Sequence, residues 1–135
     1  MRLAPPLNAE NYLDVLELQN PQLQTIDFYR DLLKQADKKI TEEFDLNSDV
    51  IDRVRIRGWY IEQIIIQLWN RFIDTEDLTL VAVGGFGRGD LHPFSDVDLL
   101  VLKTRKYLKY DDMIGHFIQS LWDIGLDVGS SVRSC

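Results

Sequence analysis

The chain has 135 residues, of which 45% are hydrophobic and 27% are charged, and its formal net charge is −7 at pH 7. This length predicts one domain with a modest core. The acidic balance argues against a nucleic-acid partner, because such binding depends on basic surface that neutralises phosphates.

The sequence also bears on the location of the protein. No apolar run approaches the ~20 residues that are needed to cross a bilayer, and the N-terminus lacks the apolar segment of a secretory signal. The single cysteine, Cys135, excludes a disulfide framework within this chain. We therefore expect a cytoplasmic protein that has no membrane partner.

The first half of the chain is predicted to be helical. Residues 1–20 form an irregular N-terminal arm to which we assign no function. Asn20 and Pro21 predict a helix start, and apolar residues then recur at helical spacing. Polar residues at 47–49 predict the cap of a second helix. We expect these helices, within residues 21–73, to pack as an antiparallel pair against a sheet.

The second half, residues 78–135, is predicted to form the sheet and one more helix. Strands are expected at 78–83, 97–102 and 126–132, and the second strand is apolar on both faces after Asp98, which is typical of a central strand. The helix between the last two strands is predicted to begin at Asp111 and to stop at Gly125. Its expected buried face consists of Met113, Ile114, Phe117, Leu121 and Trp122. The fold class is therefore α/β (α+β) with a small mixed sheet.

A glycine-rich stretch directly follows the first strand. Gly84 and Gly85 begin a run with four glycines in six residues. Glycine leaves room for a phosphate to reach main-chain N–H groups, although a tight turn also uses it. The spacing does not fit a Walker motif or a dinucleotide motif. Arg88 is a candidate triphosphate contact, with pairing to Asp90 as the structural alternative.

Two carboxylates at alternate positions open the second strand. Asp96 and Asp98 share one face of an extended strand. Such a pair is stabilised by a cation, and Mg²⁺ is the expected one, with Mn²⁺ as the alternative; exposed acids at the end of a strand are the structural alternative. Since Mg²⁺ completes its shell with water and substrate phosphates, a nucleoside triphosphate is the expected substrate. Ser95 is predicted either to bind phosphate or to cap the turn.

The run that starts at Gly84 resembles the nucleotidyltransferase superfamily related to DNA polymerase β. Its sequence is Gly-Gly-Phe-Gly-Arg-Gly-Asp-Leu-His-Pro-Phe-Ser-Asp-Val-Asp-Leu-Leu. The signature of that superfamily is a Gly-Gly or Gly-Ser pair followed by Asp-x-Asp. Over residues 78–102 the sequence is most similar to the uridylyltransferase/uridylyl-removing enzymes of the nitrogen-signalling protein PII. Residues 129–133, Gly-Ser-Ser-Val-Arg, resemble a later Gly-His-Ser-Val-Arg segment of that family, with Ser130 in place of histidine.

The resemblance implies a nucleotidyltransferase fold and an activity. UMP would pass from UTP to a tyrosine hydroxyl of PII, and pyrophosphate would leave. Asp96 and Asp98 would hold two magnesium ions, and the nucleotide would contact Gly84, Gly85, Arg88 and Ser95. The specificity for UTP rests on the resemblance alone. The alternatives are another enzyme of this fold, such as a glutamine synthetase adenylyltransferase or an aminoglycoside-modifying enzyme, and a non-catalytic nucleotide-binding interaction module.

The resemblance also implies groups that this sequence does not clearly supply. A third carboxylate is expected on a neighbouring strand, for which Asp127 is the candidate. A hydrolytic metal domain and small-molecule-sensing domains are expected beyond residue 135. We therefore expect this chain to be a fragment that is inactive alone and that self-associates through an exposed apolar patch or an open strand edge.

Overall fold

Three helices and three strands make up the computed structural model, which describes residues 25–43, 50–83, 97–104 and 109–134. The elements in chain order are α1 (Ile26–Glu43), α2 (Val50–Phe72), β1 (Leu78–Val83), β2 (Val97–Lys103), α3 (Asp111–Asp123) and β3 (Val128–Ser134). The predicted α/β class with a small mixed sheet is confirmed. None of the described helices combines the length and the apolar character that a membrane crossing requires.

The described start of α1 is capped by Thr25. Thr25 is not helical, and its hydroxyl accepts a hydrogen bond from the backbone N–H of Phe28 at 3.1 Å. This is the geometry of an N-cap, so the described helix begins at Ile26, whereas the predicted start at Asn20 and Pro21 lies outside the described residues. The predicted cap of α2 at residues 47–49 lies outside the described residues.

The strand β2 lies at the centre of the sheet, as predicted. The strand order is β1-β2-β3, with β1 antiparallel and β3 parallel to β2. Parallel neighbours need a crossover connection, and α3 lies in the segment that provides it. The backbone of β2 is therefore hydrogen-bonded along both of its edges.

The hydrophobic core lies between one face of this sheet and the helices. Val97, Leu99 and Val101 alternate along β2 and are buried. They belong to one cluster with residues of all three helices, including Tyr29, Ile61, Ile64, Leu68, Phe117 and Leu121. The rings of Trp69 and Phe117 meet edge to face, with centroids 5.1 Å apart.

Two residues of the predicted buried face of α3 are not fully buried: Met113 is partly buried and packs against the core, and Trp122 is exposed. Trp122 is 49% exposed, whereas Ser120 is buried and donates its hydroxyl proton to the Phe117 carbonyl at 2.5 Å. Residues three and four apart share a helix face, so Phe117, Ser120 and Leu121 lie together and Trp122 is turned away from them. The prediction for Trp122 was wrong because the apolar side chain was weighted above its position in the helical period.

The other face of the sheet, here called the open face, lies outside this core. It carries Thr79, Val81, Val83, Asp98, Leu100, Leu102, Gly129, Ser131 and Arg133, because residues in register share a face and alternate along each strand. Val81, Leu100 and Leu102 are only half-buried. The open face is therefore accessible in the described part of the chain.

A partly buried polar contact joins α1 to α2. The Asp37 carboxylate accepts hydrogen bonds from the hydroxyl of Tyr60 and from Nε of Arg57, the latter at 3.1 Å. Tyr60 is fully buried. Burial and the neighbouring Asp37 carboxylate raise the pKa of Tyr60 well above its ordinary value, so the phenol stays a neutral donor.

The Tyr60 hydroxyl is predicted to stabilise the helix pair. Tyr60→Phe removes a hydrogen bond to a charged group, and we expect the free energy of unfolding to fall by about 1.5 kcal/mol. The matched control is Tyr29→Phe, because the Tyr29 hydroxyl is buried and has no hydrogen-bond partner among the described residues. Urea unfolding should show little loss for the control. Equal losses in the two variants would contradict a specific role for the contact with Asp37.

Candidate active site

The structure describes two of the predicted site residues, Asp98 and Asp127. The remaining predicted site residues lie outside the described residues; these are Gly84, Gly85, Arg88, Ser95 and Asp96. Asp98 and Asp127 therefore define the part of the site whose geometry is known.

Asp98 is the second residue of β2 and lies on the open face. Its antiparallel neighbour in register is Val83, the last residue of β1, and its parallel neighbour is Gly129. In the sequence Val83 directly precedes the Gly84-Gly85 pair. The Asp98 carboxylate is therefore held at the end of the sheet where β1 runs into the glycine-rich stretch.

Gly129, the neighbour of Asp98 on β3, has no side chain, and the Asp98 carboxylate occupies the space that this leaves. A Cβ atom placed on Gly129 would lie 2.8 Å from Oδ1 of Asp98, closer than such atoms pack. The carboxylate therefore lies over the backbone of β3. It is nevertheless exposed to solvent, so a ligand on the open face can reach it.

Asp98 differs from the carboxylates that stabilise the fold. Asp37 joins α1 to α2, and Asp77 accepts hydrogen bonds from the hydroxyls of Tyr110 at 2.8 Å and Thr104 at 3.3 Å. Within residues 25–43, 50–83, 97–104 and 109–134, by contrast, no residue forms a hydrogen bond or ion pair with the Asp98 carboxylate. Its oxygens are thus available to a cation as far as the described residues are concerned.

Asp127 directly precedes β3 and lies beside the start of β2. Its backbone carbonyl accepts a hydrogen bond from the N–H of Val97 at 2.8 Å, directly beside the rung that pairs Val97 with Val128. Asp127 is exposed and lies two residues before Gly129, so strand alternation predicts that its side chain shares the face that carries Asp98. The parallel pairing of β2 and β3 therefore brings these two acids to one end of the sheet.

Two carboxylates do not make a complete metal site. No group of three or more His, Cys, Asp or Glu side chains is arranged to hold a metal ion in the described part of the chain. The all-oxygen donor pair nevertheless suits a hard cation such as Mg²⁺, which keeps several waters and substrate oxygens in its shell. The residues that are present therefore fit magnesium as an open site and do not form a closed cage.

Gly129 is the site residue that sequence reasoning missed. It was noted only as part of a family-like segment, and its contact with Asp98 depends on the strand register. A glycine inside a strand pattern often marks the close approach of another group. That signal was present in the sequence, but it did not identify the approaching group.

A known protein family matches the part of the chain that contains Asp98. Residues 60–124 match the family model described as Nucleotidyltransferase domain. This range contains β1, β2 and α3 together with the Gly-Gly and Asp-x-Asp motifs. No solved structure matches the chain.

Bacterial enzymes with two activities in their names are similar over a longer range. The bifunctional uridylyltransferase/uridylyl-removing enzyme of Pseudomonas putida strain F1 is 41% identical over 109 residues, and those of Pseudomonas aeruginosa and Azotobacter vinelandii are 43% and 42% identical. Each match covers 78% of this chain and 12% of the relative's length. The matched part of the chain is therefore a nucleotidyltransferase domain, and it matches the nucleotidyltransferase region of the bifunctional uridylyltransferase/uridylyl-removing enzymes.

Proposed function

We propose that this chain forms the metal-binding and nucleotide-binding part of a site that transfers UMP from UTP to a tyrosine hydroxyl of PII. The observation that carries the proposal is the exposed Asp98 carboxylate, which is without a partner among the described residues and lies inside the matched family segment. The printed names of the relatives support uridylyl transfer. The chain spans only 12% of their length, so the activity of the whole protein is part of the proposal.

Asp96 and Asp98 are the proposed magnesium ligands, and Asp127 is the proposed third carboxylate. Sequence spacing predicts that Asp96 and Asp98 share one strand face, and the backbone of Asp127 lies beside the start of β2. Magnesium, when bound, would lower the pKa of the attacking hydroxyl and neutralise charge on the departing pyrophosphate. Manganese offers the same oxygen-binding chemistry.

The glycine-rich stretch is proposed to hold the triphosphate. The backbone N–H groups of Gly84 and Gly85 would bind phosphate oxygens, and Arg88 and Ser95 would add a charged donor and a hydroxyl donor. The tyrosine hydroxyl would lose its proton to solvent as its oxygen forms a bond to the α-phosphorus in line, while the bond from that phosphorus to the bridging oxygen breaks and pyrophosphate leaves with the electron pair. The chain's own contribution is to orient the triphosphate against the Asp-x-Asp pair.

The open face also distinguishes this proposal from a purely structural role for the fold. An interaction module does not require a metal-binding carboxylate at this position, whereas the proposed transfer does. The choice of UTP follows from the relatives' names alone. The overall charge of −7 is consistent with a free nucleotide and a protein as substrates.

Asp98→Asn is predicted to abolish transfer without unfolding the domain. Asparagine keeps the shape of the side chain but loses the charge that a divalent metal needs. We expect the rate of UMP incorporation into PII to fall at least ~100-fold, equivalent to roughly 2.7 kcal/mol of transition-state stabilisation. The rate is measured with UTP labelled at the α-phosphate, using the Pseudomonas aeruginosa relative whose matching residues are replaced by this chain.

The control for this experiment is Asp74→Asn. Asp74 is an exposed acid that precedes β1, whose first residue pairs with Lys103 at the opposite end of β2 from Asp98. Asp74→Asn removes the same charge at a position away from the site, so it should leave the rate of UMP incorporation unchanged. Undiminished incorporation with Asp98→Asn would overturn the assignment of Asp98. Because the Asp98 side chain is exposed, the thermal unfolding of the Asp98→Asn variant should match that of the unmodified protein.

Gly85→Val is predicted to weaken nucleotide binding. A branched side chain would fill the space through which backbone N–H groups approach phosphate. We expect the affinity of the chain for magnesium-UTP to fall at least ~10-fold, about 1.4 kcal/mol, in calorimetric titration. Gly115→Val is the control, since a Cβ at this exposed α3 glycine meets no atom within 4 Å. Unchanged affinity would make the Gly-Gly pair a structural turn, and parallel titrations with ATP, CTP and GTP test the choice of base.

A further inference from the structure

Gly129 faces Asp98 across the rung between β2 and β3. A Cβ atom on Gly129 would meet only two heavy atoms within 4 Å outside its own chain neighbours, and both belong to the Asp98 carboxyl group: Oδ1 at 2.8 Å and Cγ at 4.0 Å. The space that a side chain at this position would occupy is therefore filled by the Asp98 carboxylate. No other described residue competes for that space.

The backbone of Gly129 does not itself require glycine. Among the described glycines only Gly125, with a φ of 102°, lies in the left-handed region that favours this residue. Glycine in the interior of a strand weakens it, because it adds conformational freedom to the unfolded chain and offers no side chain for packing. Among the described residues, the close approach of Asp98 is thus the feature that explains a glycine at position 129.

The orientation of the Asp98 carboxylate depends on this space. No hydrogen bond or ion pair from the described residues holds the carboxylate, so its neighbours in the sheet determine where it can lie. With a methyl group at position 129 the carboxylate would have to rotate away from β3. A metal ligand, however, must be held within about 0.5 Å and 10–20° of its productive geometry.

We propose that Gly129 is a positioning residue for divalent metal binding by Asp98. By lacking a Cβ atom, Gly129 lets the Asp98 carboxylate lie over β3, on the side where Asp127 precedes the strand. The proposal rests on the proposed function, in which Asp98 is a metal ligand. It adds a residue that contacts neither metal nor nucleotide and acts through Asp98.

The test is a titration of the 135-residue chain with Mn²⁺, in which the free ion is measured by electron paramagnetic resonance. Gly129→Ala should weaken Mn²⁺ binding about 10-fold, the size of effect that is typical when a residue supporting a metal ligand is changed. Ser131→Ala is the matched control, because Ser131 is exposed, lies on the same face of β3 and pairs with Leu100. Its affinity for Mn²⁺ should equal that of the unmodified chain.

Stability separates positioning from a structural role. The thermal midpoint of Gly129→Ala should equal or exceed that of the unmodified chain, since only the mobile end of the Asp98 side chain must shift. A lowered midpoint or the loss of a cooperative transition would make Gly129 a requirement of the sheet and would overturn the proposal.

A double-mutant cycle with Asp98→Ala completes the test. In the Asp98→Ala background the added methyl group meets no carboxylate, so Gly129→Ala should have no further effect on Mn²⁺ affinity. Weakened binding with Asp98→Ala but unchanged binding with Gly129→Ala would overturn the positioning role and leave the proposed function intact. Unchanged binding with Asp98→Ala, or no saturable binding by the unmodified chain, would overturn both.

Discussion

The pairing of β2 with a strand on each side is the constraint on which the described structure depends. β1 and β3 bond to its two edges, and its buried residues Val97, Leu99 and Val101 join the helical core through one face. The strand is thus fixed in register and in orientation at once. Because side chains alternate, burying these three residues places Asp98 on the opposite face. A slip of one residue would bury the carboxylate and expose the valines.

The two ends of the sheet are used differently. At one end Asp77 binds Tyr110 and Thr104 through its carboxylate, and its backbone carbonyl accepts the Thr104 N–H at 2.9 Å. These contacts join the start of β1 to the segment that follows β2. At the other end the Asp98 carboxylate is left without such contacts by the described residues. This division gives a closed end that stabilises the sheet and an open end that is suited to ligands.

Much of this architecture follows from sequence pattern, and the failures have physical causes. β2 was predicted to be central because it is apolar on both faces after Asp98, and the strand order confirms this. α1 begins at Ile26 with the Thr25 hydroxyl as its cap, a contact that only the structure shows, whereas the predicted start at Asn20 and Pro21 lies outside the described residues. The prediction that Trp122 is buried was wrong because it followed the apolar residue type and not the position of the residue in the helical period.

The candidate site also has features that a local sequence pattern predicts and features that only the fold shows. The spacing of Asp96 and Asp98 is local, so alternation predicts that they share one strand face, and Asp96 lies outside the described residues. The contact between Asp98 and Gly129 joins residues far apart in the chain, and it depends on a parallel register that no local pattern specifies. Asp127 combines both kinds of information. It was a candidate because it is an acid, but only its backbone hydrogen bond to Val97 shows that it lies beside the start of β2.

The central claim is that the open end of β2 binds a divalent metal together with a nucleoside triphosphate. The most direct measurement is an anomalous diffraction map from crystals grown with Mn²⁺ and a non-hydrolysable UTP analogue. The account predicts an anomalous peak at metal-to-oxygen bonding distance from the Asp98 carboxylate on the open face, with analogue phosphates in contact with it. Bound analogue with no peak at Asp98, or a peak only at other acids such as Asp111 and Asp112, would contradict it.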